Sequence, residues 1–248
     1  MKINTSRRGF LQGVGGVAML GAAGCCNCWC GRSDKIRLAV VGVMGKGYSD
    51  WTPMLKTGRV EIVAFCDADY TTREKAQMAL IRDGIDLDMY EIPFYTDYRK
   101  LLDDAGILGI DAMTISTPDH AHAAIAIGAM KQGIHVYVQK PLVRTLWENK
   151  YFETTARENN VVVQMGNQGS SLNSMRRCTE VIQSGILGDI LGVEGKFCYT
   201  MDEDEMDHHA LKIENGGGSL LDVGCYCLYF SSWYLGNDVD AISAQAES

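Results

Sequence analysis

The sequence predicts a doubly wound α/β fold, a parallel sheet with helices on both faces, followed by a smaller α+β portion. Three observations predict it. An apolar run, Ile36-Arg37-Leu38-Ala39-Val40-Val41, passes straight into a glycine-rich turn. A second run, from Val60 to Cys66, ends on Asp67, and short apolar strands then alternate with longer helical stretches up to residue 165. Repeated strand–helix–strand units produce that alternation. Composition sets the outer bounds: 248 residues, 46% hydrophobic and 22% charged, are ordinary globular values. With 31 acidic and 23 basic side chains, a net charge of −8 argues against a nucleic-acid groove, which needs clustered Lys and Arg. No apolar run reaches the roughly 20 residues of a membrane-spanning helix.

The chain opens with Arg7-Arg8-Gly9-Phe10-Leu11 and continues into a Gly/Ala/Val stretch without acids, the pattern of a twin-arginine export signal. Ala22-Ala23-Gly24-Cys25 also has the form of a lipoprotein cleavage site, which would make Cys25 a lipidated N-terminus and anchor the chain to a membrane. Residues 1–33 are therefore expected to be a signal read by the twin-arginine machinery, and the protein periplasmic or membrane-attached. Cleavage ahead of Cys25 would remove residues 1–24 with Lys2, Arg7 and Arg8 and leave 20 basic and 31 acidic residues, a charge of −11. Four cysteines crowd between Cys25 and Cys30, with no second CxxC pair to complete a zinc site. The other five, Cys66, Cys178, Cys198, Cys225 and Cys227, read as small buried apolar residues.

The first strand, from Ile36, runs into Gly42-Val43-Met44-Gly45-Lys46-Gly47. Glycines there let the backbone turn tightly and approach a pyrophosphate, whose charge sits on the amides of the following helix. The spacing is G-x-x-G-x-G, with Met44 where the usual pattern places its second glycine. Asp67, 20 residues after Gly47, supplies a carboxylate for the ribose hydroxyls of an adenosine and would repel a 2′-phosphate, so NAD is expected over NADP. Asp69 is the alternative acid. A helix from Thr71-Thr72 to Arg82, a short strand at Phe94-Tyr95 and a helix from Tyr98 follow. Asp111–Ser116 is a strand ending at Thr117-Pro118, residues 121–132 an Ala-rich helix, and His135–Val138 the fifth strand. A helix from Leu146 to Glu158 and a strand over Val161–Met165 complete six strands in a dinucleotide-binding domain of residues 34–165. Beyond it, residues 166–248 offer a helix near Ser174–Ser184, strands over Ile190–Thr200 and Val239–Ala246, and between them an acidic loop, a triple glycine and a helix.

Three further segments make the pattern specific: Gln139-Lys140-Pro141-Leu142 after the fifth strand, Gly166-Asn167-Gln168-Gly169 after the sixth, and Gly216-Gly217-Gly218-Ser219-Leu220-Leu221-Asp222-Val223-Gly224-Cys225-Tyr226. Together with the opening turn and Ser116-Thr117-Pro118-Asp119-His120-Ala121-His122, they resemble the Gfo/Idh/MocA family, the glucose-fructose oxidoreductase and inositol dehydrogenase group, over residues 36–248. The resemblance implies a Rossmann-type domain and a second domain with a mainly antiparallel sheet. It implies hydride transfer between NAD(P) and a sugar or cyclitol. Lys140 would lie beside the nicotinamide and the reacting hydroxyl, where an ammonium stabilises a developing alkoxide. Asp222 and Tyr226 match the family's D-x-x-x-H or D-x-x-x-Y segment and, four apart on a helix, share a face. Tyrosine is a poor base at its ordinary pKa near 10, so Tyr226 is expected to act as acid/base only with help from Lys140, and Asp222 to position the substrate hydroxyl. Thr117, Pro118 and His122 match the cofactor loop, His120 less closely. Gln139 matches a residue near the nicotinamide ribose, and Asn167 and Gln168 would face the substrate.

Asp202, Glu203, Asp204, Glu205, Asp207, His208 and His209 could suggest a metal site, but contiguous loop residues without turn glycines rarely converge on one ion, so no metal is expected. Two other functions share these motifs: a glycosidase that oxidises and re-reduces its sugar with no net change in NAD, and a non-catalytic dinucleotide-binding scaffold. Two strands make a marginal sheet with exposed edges. The expectation is therefore a chain truncated in its second domain or completed by a partner, with homo-oligomerisation through that sheet in a full-length form.

Overall fold

A computed structural model describes residues 34–200, 211–212, 217–236, 238–243 and 245. The expected export signal, Cys25, the acidic loop from Asp202 to His209 and Gly216 lie outside the described residues. Six strands, β1 (Ile36–Val41), β2 (Val60–Cys66), β3 (Phe94–Tyr95), β4 (Ala112–Ile115), β5 (His135–Gln139) and β6 (Val163–Gly166), form one sheet in the order β3-β2-β1-β4-β5-β6. All five pairings are parallel. The helices are α1 (Lys46–Lys56), α2 (Thr72–Arg82), α3 (Tyr98–Asp103), α4 (Ala105–Leu108), α5 (Asp119–Met130), α6 (Leu146–Glu158), α7 (Asn173–Gln183) and α8 (Cys225–Leu235).

Both faces of the sheet are buried, which is why β1 reads as a continuous apolar run instead of an alternating one. Leu38 and Val40 pack with Ile62, Phe65, Trp51 and Leu80 on one face. Ala39 and Val41 pack with Met113, Ile115, Leu101, Ala126 and Phe152 on the other. The β1–β2 register slips between Leu38 and Ala39, which pair with Ile62 and Ala64. That bulge turns both Val63 and Ala64 to one core and Ile62 and Phe65 to the other. Helix α6 starts on a capping box in which Thr145 Oγ1 accepts from the Glu148 amide and Glu148 Oε2 accepts from the Thr145 amide.

Strand β1 lies between β2 and β4, so the chain leaves the two halves of the sheet in opposite directions and opens a crevice at their carboxyl ends. The second portion departs from the sequence expectation. Residues 190–200 form no paired strand, and neither do the described residues of the segment expected over Val239–Ala246. A strand exists only by pairing, and among the described residues no strand pairs with either segment. Residues 195–199 are held instead against α8 by side chains: a Cβ on Gly195 would touch Cys227, and Phe197 stacks on Tyr226 with ring centroids 5.7 Å apart. Of the five cysteines expected to be buried, only Cys66 is; Cys178 and Cys198 are exposed, and Cys225 and Cys227 are half-buried.

Candidate functional site

The crevice is a cleft of about 870 Å³, within the range of roughly 300–1,000 Å³ usual for ligand sites. Its floor is the glycine turn. Gly42 adopts a φ of +83°, and a Cβ there would strike the carbonyl of Ser116; a Cβ on Gly47 would strike the carbonyl of Gly42. These two positions must therefore be glycine for α1 to begin against β1 and β4. Gly45 precedes α1 and no side chain caps the helix there, and Gly45 and Lys46, at its start, line the cleft. Met44 lines the cleft and rests partly buried on the core that contains Val43 and Trp51. The cradle fits a pyrophosphate.

Asp67 ends β2 and lines the cleft. Its Oδ2 accepts from the Val43 amide at 2.9 Å and its Oδ1 from the Asp69 amide at 3.1 Å, which fixes the carboxylate beside the glycine turn. Asp69 is set apart: its carboxylate caps Thr71 and pairs with Lys75 at 3.4 Å. On the far wall Thr117, Pro118, Asp119 and His120 line the cleft, but His122 does not. His122 is fully buried, with Nδ1 2.8 Å from the Pro141 carbonyl and Nε2 2.8 Å from the Thr117 carbonyl. The expected contact with cofactor is thus corrected to a buried brace between two loops, because position 122 falls on the inward side of α5 and position 120 on the cleft side.

Lys140 follows β5 and projects into the same cleft. Its Nζ donates to Asp222 Oδ1 at 2.8 Å and to the Asp222 carbonyl at 2.6 Å, and it lies 5.6 Å from the Tyr226 ring centroid. Asp222 sits in a single π-type turn, Leu220–Gly224, leading into α8, a geometry that recurs at functional sites. Its Oδ2 accepts from the Tyr199 hydroxyl at 2.6 Å. Burial pulls the Lys140 ammonium down, and the Asp222 hydrogen bond and charge outweigh it, leaving Lys140 above its ordinary value. Tyr226 is also raised, by burial, with Lys140 only partly opposing. The expectation that Lys140 would activate Tyr226 as a base is therefore corrected: the ammonium is engaged by Asp222 and faces the phenol ring. The neighbouring Cys225 thiol is likewise pushed up by burial.

The expected substrate residues stand outside the lining of this cleft. Asn167 is buried, and its Oδ1 has no hydrogen bond among the described residues; Gln168 opens a short 3₁₀ turn, Gln168–Ser171. Ser116 and the residues Thr96 to Arg99, from the loop after β3 into the start of α3, line the cleft and escaped the sequence reading, as did the buried Asp50 beneath the turn. Gly47, Asp50, Trp51 and Met54 share one stripe of α1, so an acid on an otherwise inward-facing stripe was the available signal for Asp50. Tyr199 was signalled by alternation, since 195, 197 and 199 share a face of an extended segment.

Two family descriptions match the chain: "Oxidoreductase family, NAD-binding Rossmann fold" over residues 36–167 and "GFO/IDH/MocA C-terminal domain" over residues 175–248. The chain is 27% identical over 152 residues to a levoglucosan dehydrogenase of Pseudarthrobacter phenanthrenivorans, covering 60% of this chain and 38% of that one. It is 29% identical over 177 residues to glycosyl hydrolase family 109 protein 2 of Akkermansia muciniphila, covering 68% and 35%. Among solved structures, an inositol dehydrogenase homologue from Azotobacter vinelandii, complexed with NADH and myo-inositol, superposes with a TM-score of 0.66 at 26% identity, covering 82% of this chain and 53% of that one. The chain thus spans well under half the length of these curated relatives. With a matching family description over more than half of its residues and a glycine cradle that fits the dinucleotide that description names, the chain belongs to the Gfo/Idh/MocA family of NAD-binding oxidoreductases.

Proposed function

We propose that the protein is an NAD-dependent oxidoreductase that moves a hydride between the nicotinamide and a hydroxyl or carbonyl of a sugar or cyclitol. The observation that carries this reading is the Lys140 ammonium held 2.8 Å from the Asp222 carboxylate in the cleft entered by the glycine turn. The dinucleotide, when bound, accepts or supplies the hydride. Gly42, Gly45, Gly47 and the first turn of α1 hold its pyrophosphate, and Asp67 its adenosine ribose. Asp67 supports NAD over NADP, because a carboxylate fixed at the end of β2 repels a 2′-phosphate. The NADH in the Azotobacter relative supports the same choice. Oxidation of a carbinol requires its hydroxyl proton to leave. Asp222 is the carboxylate in reach, Lys140 stabilises the alkoxide that develops, and Tyr226 keeps its proton and donates a hydrogen bond. The test is to purify the protein, identify co-purifying dinucleotide by mass spectrometry, and screen sugars and cyclitols for change in nicotinamide absorbance. A protein that neither contains nor binds a dinucleotide overturns the reading.

The similarity to glycosyl hydrolase family 109 proteins favours a second reading, a glycosidase that oxidises its sugar, eliminates the aglycone and reduces again. Release of a leaving group from a glycoside without net NADH separates it from the dehydrogenase. Export is part of the proposal. Arg7-Arg8 ahead of an acid-free stretch supports twin-arginine transport, with attachment through Cys25. Folding around a dinucleotide before transport suits an enzyme working where free NAD is scarce. Substitution of Arg7 and Arg8 by Lys should then retain the protein in the cytoplasm.

A further inference from the structure

Beneath the glycine turn, Asp50 is an acid with a side chain only 4% exposed, and it holds three groups from three different elements. Its Oδ1 pairs with Lys46 Nζ at 2.8 Å, on the first turn of α1. Its Oδ2 accepts from Ser116 Oγ at the end of β4 and from Gln139 Nε2 at the end of β5, both at 2.8 Å. Lys46, Ser116 and Gln139 all line the cleft, whereas Asp50 does not. A carboxylate only accepts hydrogen bonds, so the amino side of the Gln139 amide must face Asp50. That leaves Gln139 Oε1 on the side of the Lys140 amide, 3.3 Å away. Glutamate at 139 would set two carboxylates oxygen to oxygen in a buried place, where like charges are most costly.

We propose that Asp50 is a positioning residue for the dinucleotide, which orients Lys46, Ser116 and Gln139 around the cleft and makes glutamine, not glutamate, the residue this chain requires at 139. The inference rests on the proposed NAD-binding function and adds to it a buried group that touches neither cofactor nor substrate. Asp50 ties the start of α1 to the ends of β4 and β5 across the switch point. It therefore fixes the distance between the pyrophosphate cradle and the base of Lys140.

The test is a charge exchange, read by NADH titration and by thermal unfolding of the apo-protein. Q139E should lower the unfolding midpoint by roughly 5 °C or more, as expected for an unpaired buried charge, and weaken NADH binding at least about tenfold. D50N/Q139E returns the net charge to that of the wild type and restores one donor facing one carboxylate. It should recover NADH affinity to within about threefold. D69N/Q139E has the same net charge but alters an exposed acid outside the network, so it should stay as defective as Q139E. Recovery of the midpoint without recovery of NADH affinity would reduce Asp50 to a structural residue and overturn the positioning role. Equal recovery in D69N/Q139E, or none in D50N/Q139E, would overturn the proposal as well. A wild-type protein that binds no NADH would defeat the functional reading and the cofactor role together. The unfolding midpoints would then still decide whether positions 50 and 139 are coupled.

Discussion

The sheet-bearing portion, residues 36–167, and the portion from α7 onward are held together by different forces. Every fully buried apolar side chain among the described residues lies between Leu38 and Phe152. Helix α8, although apolar nearly all round, contains no buried residue. What reaches it from the sheet edge is Lys140, paired with Asp222 and lying over the Tyr226 ring, whereas the Asp222–Tyr199 hydrogen bond and the stack of Phe197 on Tyr226 lie within the second portion itself. The two carboxyl-edge elements that carry the proposed chemistry thus meet across a small ionic contact and not across a packed core. In the proposed mechanism Lys140 would be both the cation beside the developing alkoxide and a tie between the portions.

Substitution on the two sides should therefore give unequal losses. Trp51 is fully buried beneath the turn, its indole donates to the Val43 carbonyl at 3.0 Å, and its ring packs edge-on to Phe65. W51A should remove about 3–5 kcal/mol of stability by equilibrium denaturation, a large part of the total for a domain of this size. L228A, on α8 where the side chain is 60% exposed, should change it by less than about 0.5 kcal/mol. Equal losses would erase the contrast.

The next effect falls on chemistry. K140A should lower turnover by about 10³-fold, since it removes the cation that faces the developing alkoxide. The glycine cradle and Asp67 remain, so NADH should bind within a few-fold of the wild type. A non-catalytic scaffold has no turnover to lose, and that outcome would leave Lys140 as a tie alone. Y199F removes one donor from Asp222 and leaves Lys140 in place. A fall of about tenfold in kcat with an unchanged dinucleotide affinity is expected, measured by steady-state kinetics and NADH titration.

The same contrast explains what could be read from the sequence. All six strands of the sheet were legible because burial on both faces forces apolar runs of strand length, and the glycine turn and Asp67 because backbone contact leaves few residue choices. Lys140, Asp222 and Tyr226 were legible as types, and the structure brings all three together. Their electrostatics were not, because whether Lys140 faces the Tyr226 hydroxyl, its ring or a carboxylate depends on a contact spanning 82 residues. His122 was misplaced for a simpler reason. Its neighbour His120 is two positions away, and only the docking of α5 decides which of the two turns inward. Segment 190–200 has the alternation of a strand, but alternation records which face is apolar and says nothing about whether a partner pairs with it.

The smallest effect concerns pH. Lys140 is raised above the unfolded value, the usual consequence of gaining a carboxylate partner despite burial. A cation so raised contributes stability that is fully present below the ordinary lysine value of about 10.4 and is lost as pH rises through the folded value. With side chains 18% and 25% exposed, the Lys140–Asp222 pair is only partly shielded from solvent, and its contribution is modest. Tyr226 acts in the same direction, since burial raises it too, so the comparison is made between Y226F and Y226F/K140M. Between pH 7 and about 10 the difference in unfolding midpoint should be constant, and it should close above that range. A difference that narrows on acidification instead would place the tie between the two portions elsewhere than on the Lys140 ammonium.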